Sequence, residues 1–268
     1  MAARRELPDA ARCVIVGGGV GGTSIAYHLA ELGWDDVVLV DRNQLTSGST
    51  FHSAGLVGQL RSSVNLTKMM MYSVELYRKL GDACGWVECG GIRLASSEER
   101  MEELRRQAGW AKTFGLPLDL ISAEEAQGLF PLMSADGVLG AAWLPTDGYL
   151  DPSQLTYALA DGARRGGCRV FTHTRVTGIA TSDGRVTGVD TEWGAIEAEV
   201  VVNAGGMFAA EIGRLAGVRV PVVPFAHEYL VTQPFRDRAD EEHLPTLRDP
   251  DLLIYFREEG GGLVMGGY

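Results

Sequence analysis

The chain has few cysteines, no excess of positive charge and no long apolar run, and each shortage removes a class of function. Cys13, Cys84, Cys89 and Cys168 are its only cysteines. They show neither C-x-x-C spacing nor a paired framework, which argues against a disulfide-stapled scaffold and a thiolate metal centre. Cys13 and Cys168 read as small buried thiols at strand starts, and the set suits a reducing, cytoplasmic compartment. A formal net charge of -11 argues against nucleic acid or an anionic membrane as a partner. No apolar stretch approaches the roughly 20 residues of a membrane-spanning helix. The lead MAARRELPDA carries arginines without an apolar core, so it does not read as a secretory signal, and it is short for a mitochondrial transit peptide.

Glycine is what the chain has in quantity. Its 35 glycines fall between apolar runs, which implies tight turns and not disorder. Hydrophobic residues at 46% and charged residues at 22% are ordinary for a globular enzyme. The length is enough for one large domain or two smaller ones.

The most informative stretch runs from Arg12 to Asp41, RCVIVGGGVGGTSIAYHLAELGWDDVVLVD. Gly17, Gly19 and Gly22 give G-x-G-x-x-G spacing directly after the apolar run Cys13 to Val16. The first glycine permits a sharp turn, the second lets backbone approach a pyrophosphate, and the third lets the helix pack close to the sheet. The helix N-terminus then offers free N–H groups and a positive dipole end. Asp41, after Val37 to Val40, is placed to accept hydrogen bonds from a ribose hydroxyl. The helix is expected to bury Ile25, Leu29 and Leu32 and to stop at Gly33. His28, without a second ligand spaced to it, reads as a packing histidine.

Residues 42–58 lack clear periodicity and are dense in hydroxyls and glycines, as expected of a functional loop along a bound cofactor. A helix from about Asn65 to Leu80 places Leu66, Met69, Met70, Ser73, Leu76, Tyr77 and Leu80 on one broad face, with Met69 to Met71 as core filling. A strand over Gly90 to Ala95 precedes two capping boxes, Ser96-x-x-Glu99 and Ser122-x-x-Glu125. The first opens a helix with Met101, Leu104, Ala108 and Ala111 inward. A strand from Gly137 to Leu144 and a turn through Gly148 follow. Asp151-Pro152 starts a helix burying Leu155, Ala158, Leu159 and Ala163. Next come a strand at Arg169 to Phe171, a meander turning at Asp183-Gly184, and the run Val200-Val201-Val202. This last run reads as a buried parallel strand leading into a second glycine turn, Asn203 to Gly206.

That order separates the candidate dinucleotides. An NAD dehydrogenase continues with regular βαβ units after the ribose acid. Here a loop, an insertion, a meander and a returning strand with its own glycine turn resemble the glutathione-reductase-like FAD-binding fold. The expected fold class is α/β, a Rossmann FAD domain over 1–85 and 147–220. A discontinuous α+β substrate domain over 86–146 and 221–268 completes it, with its C-terminal part incomplete.

Six stretches carry a closer likeness: VIVGGGVGGTSIAYHLAELGW, LTSGSTFHSAGLVGQLRSS, YLDPSQLTYALADGARRGG, VVNAGGMFAAEIGRLAGV, VPFAHEYLVT and LIYFREEGGGLVMGGY. Through them the chain resembles the dimethylglycine and sarcosine dehydrogenase group of FAD-dependent amine oxidoreductases, of the D-amino-acid-oxidase-like superfamily. The resemblance implies a flavin joined covalently through its 8α-carbon to His52, although Phe51 stands where the group carries tryptophan. It implies cofactor contacts at Gly17, Gly19, Gly22, Asp41, Arg42, Ser49, Thr50, His52, Gly55, Leu56, Val176, Ala204 and Gly205. His227 and Tyr255 match active-site positions near the substrate amine. By strand alternation His227 shares a face with Tyr229 and Val231, and Tyr255 with Arg257.

The implied reaction is oxidative demethylation of dimethylglycine or sarcosine by hydride transfer to flavin N5, leaving an iminium ion that yields formaldehyde. The amine must first lose its proton, because an ammonium has no lone pair for the iminium. Histidine titrates near neutrality, which suits His227 as proton acceptor, with Tyr255 positioning the substrate. Oxygen or an electron-transfer flavoprotein would reoxidise the flavin. Relatives of the group carry further substrate-domain strands and many a folate-binding domain, so the chain is expected to be a fragment that binds FAD poorly and turns over slowly or not at all. The alternatives are another amino acid or hydroxy acid oxidoreductase of the superfamily, and a non-catalytic FAD-binding module.

Overall fold

A computed structural model describes residues 6–235 and 243–267; the lead before residue 6 and the terminal Tyr268 lie outside the described residues. Two compact units result, Met1–Ser53 with Pro152–Phe225, and Ala54–Asp151 with Ala226–Tyr268. The expected nucleotide domain kept residues 54–85 and 147–151, yet both segments fall in the second unit. Leu56 pairs with Tyr149, and Leu60 and Met71 pack in the cluster built on Leu104 and Leu116.

In chain order the first unit begins with β1 (Ala10–Val16), α1 (Val20–Glu31) and β2 (Val37–Val40). The second unit supplies β3 (Leu56–Val57), α2 (Val64–Leu80), β4 (Gly91–Ala95), α3 (Glu98–Thr113), β5 (Asp119–Ile121), α4 (Ala123–Leu129), β6 (Gly140–Leu144) and β7 (Gly148–Tyr149). The first resumes with α5 (Pro152–Arg165), β8 (Arg169–Phe171), β9 (Val176–Ser182), β10 (Arg185–Thr191), β11 (Gly194–Asn203) and α6 (Ala209–Leu215). The second then adds β12 (Tyr229–Val231), β13 (Thr246–Asp249), β14 (Ile254–Glu259) and β15 (Gly262–Gly267).

The first unit's sheet has the order β8-β2-β1-β11-β10-β9, and β8, β2, β1 and β11 run parallel. Alternation sends Cys13, Ile15, Val37 and Leu39 to one face, with Ala26, Ala160 and Ala163 of the helices. Val14, Val16, Val38 and Val40 go to the other, with Val176, Val189 and Ile196. Two filled faces explain why these strands read as unbroken apolar runs. The helix α1 lies close against α5: a Cβ on Gly162 would come within 2.5 Å of the Tyr27 ring, and one on Gly166 within 2.5 Å of Ala30 Cβ. The buried residues of α1 are Gly22, Thr23, Ala26 and Tyr27, in place of the expected face. Ile25 and Leu32 are exposed, Leu32 at 76%. The stop at Gly33 is as expected, with φ 82°. The Asp183-Gly184 turn also has the expected left-handed pair, φ 49° and 75°. Val200 departs from its expectation of burial, being 40% exposed, because β10 pairs only with Gly194 to Glu197 of β11.

The second unit's main sheet has the order β12-β15-β14-β13-β4-β6-β5. Beneath one face, Ile92, Leu94 and Leu247 pack with Ala126 and Phe130. Over the other, Leu104, Ala108 and Ala111 of α3 pack on Ala142 and Leu144. The cap of α3 is Ser97, whose side chain accepts from Arg100 N, and not Ser96, whose N–H donates to Asp251. At α4 the expected capping box of Ser122 and Glu125 is complete. The α2 face differs from expectation: Thr67, Val74 and Leu76 are buried, while Leu66 and Met69 are exposed. The strand expected from Gly137 starts at Gly140.

Candidate functional site

In the first unit β1 lies between β2 and β11, so the sheet's order reverses there and leaves a crevice at the carboxyl ends of the strands. Both glycine turns open into it. The cleft has a volume of about 650 Å³ and is lined by Gly17, Gly19, Asp41, Arg42, Ser49, Thr50, Val176, Ala204 and Gly205 among others. Gly22 does not line it but supports it, since a Cβ there would lie 1.8 Å from Gly17 O. Gly17 has φ 121°, and its Cβ would lie 2.2 Å from Ala204 O. The two glycine turns therefore touch backbone to backbone.

Gly19 caps α1 without a side chain, and the first turn holds no acid, so the helix N-terminus keeps its affinity for an anion. Thr50 Oγ accepts from Val20 N at 3.0 Å. The loop is tied down further by Thr46 N donating to Gly18 O at 3.2 Å and Phe51 N donating to Thr46 O at 3.2 Å. Asp41 Oδ2 accepts from Gly18 N and Oδ1 from Asn43 N, both at 2.7 Å. A carboxylate has about four acceptor positions, so two fixed bonds leave capacity for a ribose hydroxyl.

His52 is exposed and lies beyond Thr50, the last loop residue in the cleft wall. Its ring stands edge-on to Phe51 at 5.3 Å. Gly55 and Leu56 belong to the second unit, where Gly55 O accepts from Leu150 N at 3.1 Å. Cleft residues that sequence reasoning missed include Thr174 between β8 and β9, Thr177 on β9, and Phe208 and Glu211 after the second glycine turn. Thr174 N donates to Asp41 O at 2.7 Å, and the Arg42 guanidinium stands 3.8 Å from the Phe208 ring centroid. For Thr174 and Phe208, position shortly after a strand or a glycine turn was the available signal.

In the second unit Tyr255 is buried at 9% exposure, and it shares its face of β14 with Arg257 as expected. Its register partners are Arg248 on β13 and Gly266 on β15. A Cβ on Gly266 would lie 2.2 Å from Tyr255 Oη, so this glycine makes room for the hydroxyl. Tyr229 pairs with the same Gly266. His227 is exposed and precedes β12 without joining it, so the expected strand alternation does not reach it. Asp147 was not foreseen. Its Oδ1 accepts from Gln59 N at 2.9 Å and Gln59 Nε2 at 3.2 Å. Burial pushes its carboxyl up to about 6, against the pull of Gln59, Arg248 and Arg93.

Among the described residues no group of His, Cys, Asp and Glu could hold a metal ion. No helix among them is long and apolar enough to cross a membrane.

Residues 12–268 match the family described as DAO, FAD dependent oxidoreductase. Human mitochondrial dimethylglycine dehydrogenase is 40% identical over 100% of this chain and 32% of its own length. Human mitochondrial sarcosine dehydrogenase is 38% identical over 98% of this chain and 30% of its own. The mitochondrial pyruvate dehydrogenase phosphatase regulatory subunit of Mus musculus is 35% identical over 98% of this chain and 30% of its own. Among solved structures, L-proline dehydrogenase from P. horikoshii superposes with a TM-score of 0.90 at 30% identity, over 97% of this chain and 70% of that one. The chain thus spans about a third of the length of the curated relatives it matches. With its cleft, its sheet order and this match over almost its whole length, the chain belongs to the family of FAD-dependent oxidoreductases.

Proposed function

We propose that the chain forms the FAD site and part of the substrate site of an enzyme that oxidatively demethylates an N-methyl amino acid, dimethylglycine or sarcosine. The observation that carries this reading is the convergence of both glycine turns and Asp41 on one cleft, in a chain 38–40% identical to dehydrogenases of those two names. The cleft fits the cofactor. Gly17 and Gly19 leave backbone exposed to a pyrophosphate, the α1 N-terminus, whose cap residue Gly19 has no side chain, attracts it, and Asp41 takes the ribose. Arg42, Ser49, Thr50, Val176, Ala204 and Gly205 line the remainder. Bound there, the flavin supplies the two-electron acceptor for the substrate's C–H bond.

The chain's own residues then have distinct tasks. His52 tethers the flavin, Gly55 and Leu56 extend the contact, His227 takes the amine proton and Tyr255 orients the amine. Oxygen or an electron-transfer flavoprotein accepts the electrons, and a folate-binding domain takes up the one-carbon product. The four free cysteines suit a reducing compartment, for which we retain the cytoplasm, although both human relatives are named mitochondrial.

A second reading, a non-catalytic FAD-binding module, is favoured by the relative named as a regulatory subunit. Anaerobic mixing of the FAD-loaded chain with dimethylglycine, sarcosine and proline separates the two. Bleaching of the flavin absorbance by an N-methyl substrate is expected, and bleaching by none supports the module. His52→Ala is expected to release its flavin on acid denaturation; flavin still attached after that treatment refutes the tether.

A further inference from the structure

Arg93 and Arg248 stand directly opposite each other on the parallel pair β4 and β13, so both side chains leave the same face of the sheet. Directly opposed like charges repel, and both residues are half-buried. Burial first, and the Arg248 charge second, lowers the pKa of Arg93. Arg93 Nη1 donates to Gln107 Oε1 at 2.7 Å, and Gln107 in turn donates to Glu103. The Arg248 guanidinium makes no hydrogen bond or ion pair among the described residues.

One acid faces this pair closely, Asp147, and Gln59 already occupies its Oδ1. Arg61 adds positive charge near Arg93, and Glu103 offsets part of it. Between the arginines lies a cavity of about 30 Å³, lined by Arg93, Arg248, Asp147, Gln107 and Thr246 with apolar neighbours. At about 10–15 Å³ for a water, that is room for a guest of two or three small atoms. Burying cations without enough countercharge is unfavourable unless something bridges them, and guanidinium forks present several N–H donors to such a bridge.

We propose that this cavity binds one small monovalent anion, a halide or a small carboxylate, held between Arg93 and Arg248. The anion turns a repulsive cross-strand pair into a bridged one and fixes β13 against β4. Every lining residue belongs to the second unit, so the inference does not depend on the flavin reading.

The test titrates the purified chain with sodium bromide and, separately, sodium formate at constant ionic strength, following thermal unfolding. The expected result is a rise in Tm that grows with the logarithm of anion concentration above Kd and reaches about 3 °C at ten times Kd. Arg248→Gln abolishes it. A rise with bromide alone identifies a halide site, and a rise with both identifies a site open to carboxylates. An equal rise in the Arg248→Gln chain overturns the proposal, because the effect then lies elsewhere. Should that variant fail to fold, bromide-soaked crystals of the unaltered chain decide. An anomalous peak between Arg93 and Arg248 supports the site, and water alone in the cavity refutes it.

Discussion

The candidate cleft of the first unit is shaped by backbone, whereas the polar face of the second is assembled from side chains of distant segments. Gly17, Gly22 and Ala204 meet through carbonyls and Cα positions that tolerate no added atom. Arg93, Asp147 and Arg248 come together only because β4, a turn and β13 meet in one sheet. A backbone site should therefore fail abruptly when one methyl is added, while a side-chain site should respond in degrees, to charge and pH. That contrast can be broken by mutation.

The largest effect is expected at Gly22→Val. The new Cβ would stand 1.8 Å from Gly17 O, and no rotamer relieves a clash with backbone. FAD affinity should fall by at least about 100-fold, or the first unit should not fold. Gly21→Ala is the companion, since its Cβ meets nothing within 4 Å. Its unfolding midpoint should be unchanged, so that any loss of FAD binding there reports close approach of the cofactor itself. Normal FAD titration by Gly22→Val would remove the glycine turn from the site.

Asp147 gives the graded counterpart. Its carboxyl sits at about 6 in the fold against an ordinary 3.8. Between those values the folded state holds more proton than the unfolded one, so stability falls as pH rises from about 4 to about 6 and levels off above. A shift of about two units corresponds to a cost of up to about 3 kcal/mol at neutral pH. Asp147→Asn should flatten this slope, as read from urea midpoints across the range. A variant slope parallel to that of the unaltered chain would place the titration elsewhere.

These cases show what could be read from the chain alone. The glycine spacing, Asp41 and the second glycine turn were legible because each acts through local backbone rules, and all but Gly22 and Asn203 line the cleft. The helices of Ser122 and Pro152 were legible for the same reason, as caps are local. The faces of α1 and α2 were not, because close contact at Gly162 and Gly166 rotates burial away from Ile25 and Leu32. Asp147 carried no signal: it sits in a short turn, and its importance comes from the Gln59 amide and two arginines distant in sequence. His227 and Tyr255 came from family likeness, since a histidine and a tyrosine in strand-like runs are otherwise ordinary.

Gly266 tests whether the second unit also depends on a backbone approach. Its missing Cβ makes room for the Tyr255 hydroxyl 2.2 Å away, so Gly266→Ala should cost about 1–3 kcal/mol and displace Tyr255 from its place on β14. In Gly267→Ala the nearest atom is Leu253 O at 3.6 Å, an ordinary contact, and the cost should stay under about 1 kcal/mol. Equal costs in urea melts would mean that the tyrosine moves aside freely.

The smallest effects are expected along α2, where three consecutive methionines suggested core filling. Met71 packs at the edge of the cluster that contains Leu60, Leu104 and Leu116, whereas Met69 is 62% exposed. Met71→Ala should therefore cost about 1 kcal/mol, less than a fully buried truncation, and Met69→Ala should stay within about 0.5 kcal/mol. The ratio carries the information, because both variants lose the same atoms from the same helix at nearly equal helix propensity. Comparable losses would mean that the Met69 face is covered in solution. A flat result at Met69 would instead show that an unbroken apolar run on a helix can serve two surroundings at once, one side chain in the core and its neighbour in water.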